Sequence, residues 1–263
     1  MDFCSLASGS RGNLIYVGTE STKLLIDVGI TCKSTEDKLA QIGVSPTELT
    51  GILITHEHSD HINGLKVFAN KYDIPVYAHN LIWNELHNKT GGFKTEHDFF
   101  NSDFYINDIT ISPFKVEHDS VYCVGFSLYN QQKKISVVTD LGIITKDILQ
   151  KISQSDIIFL EANHDINMLI NNPNYSAQLK RRILSSQGHL SNKTSAQAIV
   201  ELANTNVRQF VLAHLSEQNN TPEISYNCVA NALRANGIEE GKDVFVDVAT
   251  QHKVGAFFVV KNS

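Results

Sequence analysis

Apolar and polar positions along the 263 residues fall into two patterns. Short runs rich in β-branched and aromatic residues, bounded by glycine, proline or polar clusters, predict strands. They are "LIYVG" (14–18), "KLLIDVG" (23–29), "GILIT" (51–55), "PVYAH" (75–79), "ITISPFKV" (109–116), "CVGFSLYN" (123–130), "KISVVTD" (134–140), "DIIFLEA" (156–162), "QFVLAHL" (209–215) and "GAFFVV" (255–260). Between them, apolar residues three and four apart predict helices near 34–42, 61–72, 80–88, 145–153, 176–186, 192–204 and 222–236. The first three strands read as a hairpin-like start, and later strands alternate with helices, the mark of an α/β (α+β) fold. Residues 88–105 follow neither pattern and read as a loop or lid. No repeat, low-complexity linker or composition break divides the chain, so one domain over 1–263 is expected.

The strand "GILIT" runs directly into "HEHSDH", which places His56, His58, Asp60 and His61 at the turn from a strand into a helix. At this composition the pattern H-x-H-x-D-H arises by chance roughly four times in a million starts, a modest false-positive risk. His56 and His58, two apart in an extended segment, project to one side and can share a metal. Asp60 and His61 lie past the bend, where they can serve a second. Four other strands also end in a donor: Asp27 after "LLI", His118 after "ISPFKVE", Asp140 after "ISVVT" and His214 after "QFVLA". One such residue alone reads as an ordinary turn residue. Strand C-terminal ends line one edge of a sheet, where α/β folds build their sites, and five such endings read as one site.

Composition narrows the class. A hydrophobic fraction of 42% and a charged fraction of 19% fit a globular protein. The net charge of −6 favours solubility and weighs against a generic nucleic-acid binder, without excluding a local basic groove. The dense basic run "LKRRI" (179–183) reads by itself as a solvated helix face. No apolar run reaches 18 residues, so no membrane span is expected. "MDFCSLASGS" lacks the basic and apolar regions of a secretory signal. The four cysteines form no C-x-x-C pair, which suits reduced thiols and a cytoplasmic location.

Taken in order, "LLIDVG", "THEHSDH", His118, "TDLG" and "LAHLS" resemble the motifs of the metallo-β-lactamase superfamily over almost the whole chain. "LASGSRGN", "EANHD", "KRRILS" and "GHLSN" add a narrower resemblance to its small bacterial exonuclease-like subgroup of YycJ or WalJ type. That subgroup is encoded near a cell-wall two-component system and is associated with 5′-to-3′ DNA exonuclease activity. The resemblance implies a four-layer αβ/βα sandwich holding two divalent metal ions, zinc or manganese, with iron a further candidate. It implies that His56, His58 and His118 bind one ion, that Asp60, His61 and His214 bind the other, and that Asp140 bridges them. Asp27 would hold a ligand imidazole in register. Two such ions share a hydroxide and clamp a phosphoryl oxygen.

His189, in "SQGHLSNKTSAQAIVELA", opens a helix-like segment with Ser191 or Asn192 as its cap, and its residue context also allows a structural bond there. The order G-H-x-S, helix, strand, metal histidine is similar to that of phosphodiester-cleaving nucleases of the superfamily. It implies that His189 contacts the scissile phosphate or protonates the leaving oxygen, so catalysis would depend on Asp140, His189 and Asp27. The "GSRGN" turn (9–13) could bring Arg11 and Asn13 to the phosphate or be a simple glycine turn, and His164 is expected to line the pocket. Nucleases with that motif carry a β-CASP-type cap domain between the aspartate and the histidine. Only residues 141–188 intervene here, so no cap is expected, and the clamp on a polynucleotide is weak or comes from a homodimer. The implied function is a dinuclear phosphodiesterase or 5′–3′ exonuclease acting on DNA or RNA ends. A thioester or lactone hydrolase of the same fold is the alternative. A metal-stabilised, non-enzymatic regulatory partner of a cell-wall signalling system is a second.

Overall fold

Alternation along each apolar run decides the layers. In the computed structural model, which describes residues 1–260, Leu24 and Ile26 face a core between two sheets while Leu25 faces helices on the other side. The final three residues of the expected 1–263 domain lie outside the described residues.

The first sheet contains β1 (Asp2–Ala7), β2 (Leu14–Gly18), β3 (Lys23–Ile26), β4 (Gly51–Leu53), β5 (Val76–His79) and β6 (Glu96–Phe99). The second contains β7 (Phe104–Ile106), β8 (Ile109–Val116), β9 (Cys123–Asn130), β10 (Lys133–Val138), β11 (Ile157–Glu161), β12 (Gln209–Ala213) and β13 (Phe245–Val248). A last strand, β14 (Phe257–Val259), joins the first sheet beside β1, giving the order β14-β1-β2-β3-β4-β5-β6. The second sheet runs β13-β12-β11-β10-β9-β8-β7. Each sheet is antiparallel on one side and parallel on the other: β3 to β6 are parallel neighbours, as are β10 to β13. Those parallel strands need helical crossovers, and these supply the outer layers.

Helices α1 (Cys32–Gln41), α2 (Ser59–Ile62), α3 (Leu65–Tyr72) and α4 (Trp83–Thr90) belong to the first half. Leu39, Phe68 and Leu86 pack on the outer side chains Leu25 and Ile52. The second half carries α5 (Lys146–Ile152), α6 (Ile166–Asn171), α7 (Ala177–Ile183), α8 (Asn192–Ala203) and α9 (Pro222–Ala235). Ile148, Ile199 and Val229 cover Val138, Leu160 and Leu212. The result is the expected αβ/βα sandwich. Residues 141–188 hold only α5, β11, α6 and α7, with no inserted cap. No helix among the described residues is long and apolar enough to cross a membrane.

Several expectations are corrected. Of the first three predicted strands, β2 and β3 pair antiparallel as the expected hairpin, but β4 lies parallel to β3 and is joined to it through α1. The helix expected over 61–72 breaks into α2 and α3 at Gly64. Its N–H bonds Val28 O at 2.9 Å, and a Cβ there would lie 1.8 Å from Ile30 O. Residues 88–105 are not a free lid, since they form the edge strands β6 and β7. Three of the four β6 side chains are exposed, so an edge strand leaves no apolar alternation to read. β13, four residues of sequence FVDV, is too short a run to stand out. β1, almost wholly buried, is a further strand beyond those predicted.

Candidate metal centre

Every donor singled out at a strand end comes to the same edge of the sandwich. β4 leads into His56 and His58, and the single turn of α2 carries Asp60 and His61. Facing them, β8 leads to His118, β10 to Asp140 and β12 to His214. Nitrogen and oxygen atoms of His56, His58 and His118 lie within 4.8 Å of one another, as do those of Asp60, His61 and His214. Asp140 joins His56 and His61 in one such group, and Glu161, His189 and His214 in another. His58, Asp60, His118, Asp140 and His214 border a cavity of about 260 Å³, whose rim includes Ser10, Asn163, Tyr175, Arg182 and Ser216, while His56 and His61 lie behind them.

Hydrogen bonds fix how each ring is turned. Asp27 accepts from Thr55 N at 2.9 Å and Thr55 Oγ1 at 2.8 Å, and its Oδ2 is 2.7 Å from His61 Nδ1. That leaves His61 Nε2 toward Asp140 Oδ2 (3.3 Å) and Asp60 Oδ2 (3.4 Å). His118 Nδ1 bonds Gly188 O at 3.2 Å, and His56 Nδ1 faces Thr55 Oγ1 at 3.0 Å. Among the described residues, buried His56 Nε2 has no hydrogen-bond partner, and Asp140 Oδ2 has only the 3.3 Å approach of His61 Nε2. These atoms, aimed among imidazoles and carboxylates, form a donor set that fits divalent cations.

Electrostatics divide the donors. Burial, with the neighbouring His61, holds His56 well below the usual imidazole range, and burial lowers His118 as well. Burial also opposes charge on His61 and His214, but Asp140 and other carboxylates outweigh it. His61 is raised well above the usual range and His214 to about 10. Asp140 is held well below the carboxylate range, its burial overcome by His214 and His61. His61 and His214 thus hold protons among carboxylates, positions where a cation can take the protons' place.

Glu161 was not singled out from sequence, although "DIIFLEA" ends in a donor as the other strands do. It is fully buried. Its Oε1 meets His189 Nδ1 at 2.7 Å and His214 Nδ1 at 3.1 Å, while Oε2 accepts from Leu141 N (3.2 Å) and Leu190 N (3.1 Å). Burial would raise its pKa, but His189 outweighs this and brings it to about 2. His189 lines the cavity with Nδ1 committed to Glu161, and that carboxylate overcomes burial to raise its pKa. The expected cap Ser191 is the N-cap of α8, accepting from Thr194 N.

The three expected substrate contacts beyond His189 lie elsewhere. Arg11 pairs with Glu217 at 2.8 Å and does not line the metal-facing cavity, where Ser10 takes its place. Asn13 is buried, with Nδ2 3.1 Å from His61 Nε2 and 3.4 Å from Asp60 Oδ2, so it touches the donors instead of the opening. Its N–H bonds Asp60 O at 2.8 Å, and a Cβ on neighbouring Gly29 would lie 1.7 Å from that oxygen, so the two turns pack backbone to backbone. His164 is buried against Asn163, pushed down to about 4 by burial; Asn163, not His164, lines the cavity.

A family model described as the beta-lactamase superfamily domain matches residues 22–215. The chain is 37% identical over 245 residues to a Bacillus anthracis protein named exodeoxyribonuclease YycJ, covering 92% of each. It is 36% identical over 243 residues to exodeoxyribonuclease WalJ of Streptococcus pneumoniae, covering 90% of each. Among solved structures, the metallo-beta-lactamase fold protein YhfI from Bacillus subtilis superposes with a TM-score of 0.72 at 14% identity, over 96% of this chain and 98% of that one. The donor-bearing strand ends, the paired sheets and these matches agree: the chain belongs to the beta-lactamase superfamily, with the metallo-β-lactamase fold, and to its YycJ/WalJ family.

Proposed function

We propose that the protein is a metal-dependent phosphodiesterase that degrades DNA, or RNA, from its ends in the 5′-to-3′ direction. The observation that carries this reading is the Glu161–His189 pair on the cavity wall, at 2.7 Å. A sugar alkoxide leaving a phosphodiester needs a proton, whereas a thiolate leaving a thioester needs almost none. Glu161 on Nδ1 raises the pKa of His189 and so favours the imidazolium, whose Nε2–H is a proton donor. The names of the two exodeoxyribonucleases it is similar to support DNA as the substrate.

In this reading His56, His58 and His118 hold one ion, Asp60, His61 and His214 the second, and Asp140 reaches both. Two divalent ions, zinc or manganese with iron a further candidate, supply Lewis acidity and an activated water when bound. Asp27 keeps His61 turned toward its ion. Glu161 keeps His189 and His214 in register, and His189 releases its proton to the leaving sugar oxygen. With no cap domain, a homodimer supplies the clamp on a polynucleotide. We place this single-domain enzyme in the cytoplasm, where its four free cysteines stay reduced.

The test is incubation of metal-loaded protein with 5′-phosphorylated duplex DNA, single strands, RNA and a panel of thioesters and lactones. Nucleotides released from DNA or RNA ends support the reading. Thioester turnover without nucleic-acid cleavage overturns it in favour of a small-molecule hydrolase, and no turnover at all points to the non-enzymatic regulatory role. Light scattering reads the oligomeric state.

A further inference from the structure

The basic run and the cavity meet at one residue. Arg182, in the last turn of α7, lines the cavity, and its Nε donates to Asp119 Oδ2. The other Asp119 oxygen is 3.4 Å from His118 Nε2, so one carboxylate lies between a metal-ligand candidate and a guanidinium. Among the described residues the Arg182 side chain has no further hydrogen bond or ion pair, and it is 60% exposed. Asp119 therefore orients the guanidinium through Nε and leaves its Nη1–Nη2 edge open. Its neighbours do not share this placement. Lys180 Nζ is committed to Ile170 O at 2.7 Å, and exposed Arg181 is not on the cavity.

Tyr175, Leu179 and Ile183, four residues apart, form the half-buried wall beside Arg182. The end of α7 is tied to the chemistry by backbone bonds: His189 N reaches Ile183 O at 3.0 Å and Asp119 N reaches Gln187 O at 3.1 Å. Backbone bonds thus join the wall, the guanidinium's partner Asp119 and His189.

We propose that Arg182 is a specificity-determining residue that binds a substrate phosphate next to the one being cleaved, with Tyr175, Leu179 and Ile183 against the attached sugar and base. This rests on the phosphodiesterase reading. An open guanidinium edge matches two phosphate oxygens at once, which an ammonium cannot do. An aromatic and aliphatic wall accepts any base by stacking, giving affinity for a chain without sequence preference. The phosphate is either a 5′-terminal monoester or an internal diester.

The experiment uses the full-length, metal-loaded protein and its Arg182→Ala, Arg182→Lys and Arg181→Ala variants. Binding of phosphorothioate oligonucleotides, with and without a 5′-phosphate, is followed by fluorescence anisotropy over a salt series. Arg182→Ala is expected to weaken binding about 10-fold for all sequences and to lower the salt slope by about one. Arg182→Lys should recover only part, and Arg181→Ala should cost much less. A defect confined to 5′-phosphorylated strands assigns the terminal monoester, and a defect on both assigns an internal diester. Oligonucleotide cleavage should fall far more than turnover of bis(p-nitrophenyl) phosphate, which has one phosphate. Equal losses for Arg181→Ala and Arg182→Ala, equal losses on both substrates, or no binding by the wild type each overturn the subsite. Cleavage of DNA that does not depend on Arg182 overturns the subsite alone. Arg182-dependent binding by a protein that hydrolyses only thioesters overturns the phosphodiesterase reading alone.

Discussion

Asp27, Asp140 and His214 hold left-handed backbone, with φ of 60°, 58° and 54°. For residues other than glycine this conformation costs about 1 kcal/mol or more, least for aspartate, asparagine and histidine. Each follows a strand, where a left-handed step turns the side chain into the shared edge instead of continuing the pleat. Asp27→Asn keeps that backbone tolerance but removes the carboxylate facing His61 and Thr55. Metal affinity should drop about 10- to 100-fold, with only a small loss of melting temperature. Titration with zinc or manganese, followed calorimetrically, measures it, and unchanged affinity removes the orienting role. For His189→Ala the metal content should persist while DNA turnover falls about 10²- to 10⁴-fold. The loss should shrink on a nitrophenyl phosphodiester, whose leaving group needs little protonation. Equal losses on both substrates would remove the general-acid role. At this scale the strand-end histidines and aspartates were legible because five such endings, one of them the H-x-H-x-D-H cluster, read together as one site. Glu161 was not, because a carboxylate after a buried strand also reads as an ordinary turn residue. Only the fold brings it to His189 and His214. Nor can spacing tell which arginine faces the cavity: Arg11 is turned away onto Glu217, and Arg182 is turned in.

Among the elements, central strands and long helices were readable, while edges were not. β10 and β11 are continuous buried runs, but β6 is polar at three of four positions, and β13, though apolar at three of four, is only four residues long and partly exposed. The parallel pairing of β3 with β4 depends on the crossover through α1, which local pattern does not encode. One contact between elements gives a test that does not involve metals. Lys134, the second residue of β10, donates to Lys151 O at 2.5 Å and Ser153 O at 2.8 Å at the C-terminal end of α5. Burial lowers its pKa to about 8. Between pH 8 and the ordinary value of 10.5 the unfolded chain therefore binds more protons than the folded one, and stability must rise with pH. The penalty for the buried charge is full below pH 8 and fades as pH approaches 10.5. Melting temperature, measured as wild type minus Lys134→Met, should increase across that window. A flat difference would mean that Lys134 is solvated well enough to keep its ordinary pKa.

Across the whole molecule, the seven donors are split between the halves of the sandwich, four on one and three on the other. His56, His58, Asp60 and His61 follow a strand of the first sheet, while His118, Asp140 and His214 follow strands of the second. Ions bound there join two sheets that otherwise meet through apolar packing and a few hydrogen bonds, such as Val124 N to Thr55 O at 3.1 Å, so metal binding must be linked to stability. We expect two ions per chain at saturation, since seven donors exceed one tetrahedral site. At a free concentration a thousand times the dissociation constant, each stabilises the fold by about 4 kcal/mol. For a chain of this size, stripping both ions with a chelator should lower the melting temperature by roughly 15–30 °C. Amide exchange should rise first around 55–61, 118–120, 140–142 and 214–216, on both halves together. Protons must move as well. In the metal-free protein burial opposes charge on His214, yet Asp140 and other carboxylates hold it at about 10, and His61 is raised too. Both are protonated at neutral pH, so an ion displaces protons and apparent affinity increases as pH rises from neutral toward 10. Calorimetry in buffers of different ionisation enthalpy counts the protons released. Asp140→Ala should weaken both ions together, because its carboxylate offsets the repulsion between two dications. A variant that keeps full occupancy at both positions would show that Asp140 does not bridge them. Binding without proton release would show that His61 and His214 are already neutral in the metal-free protein.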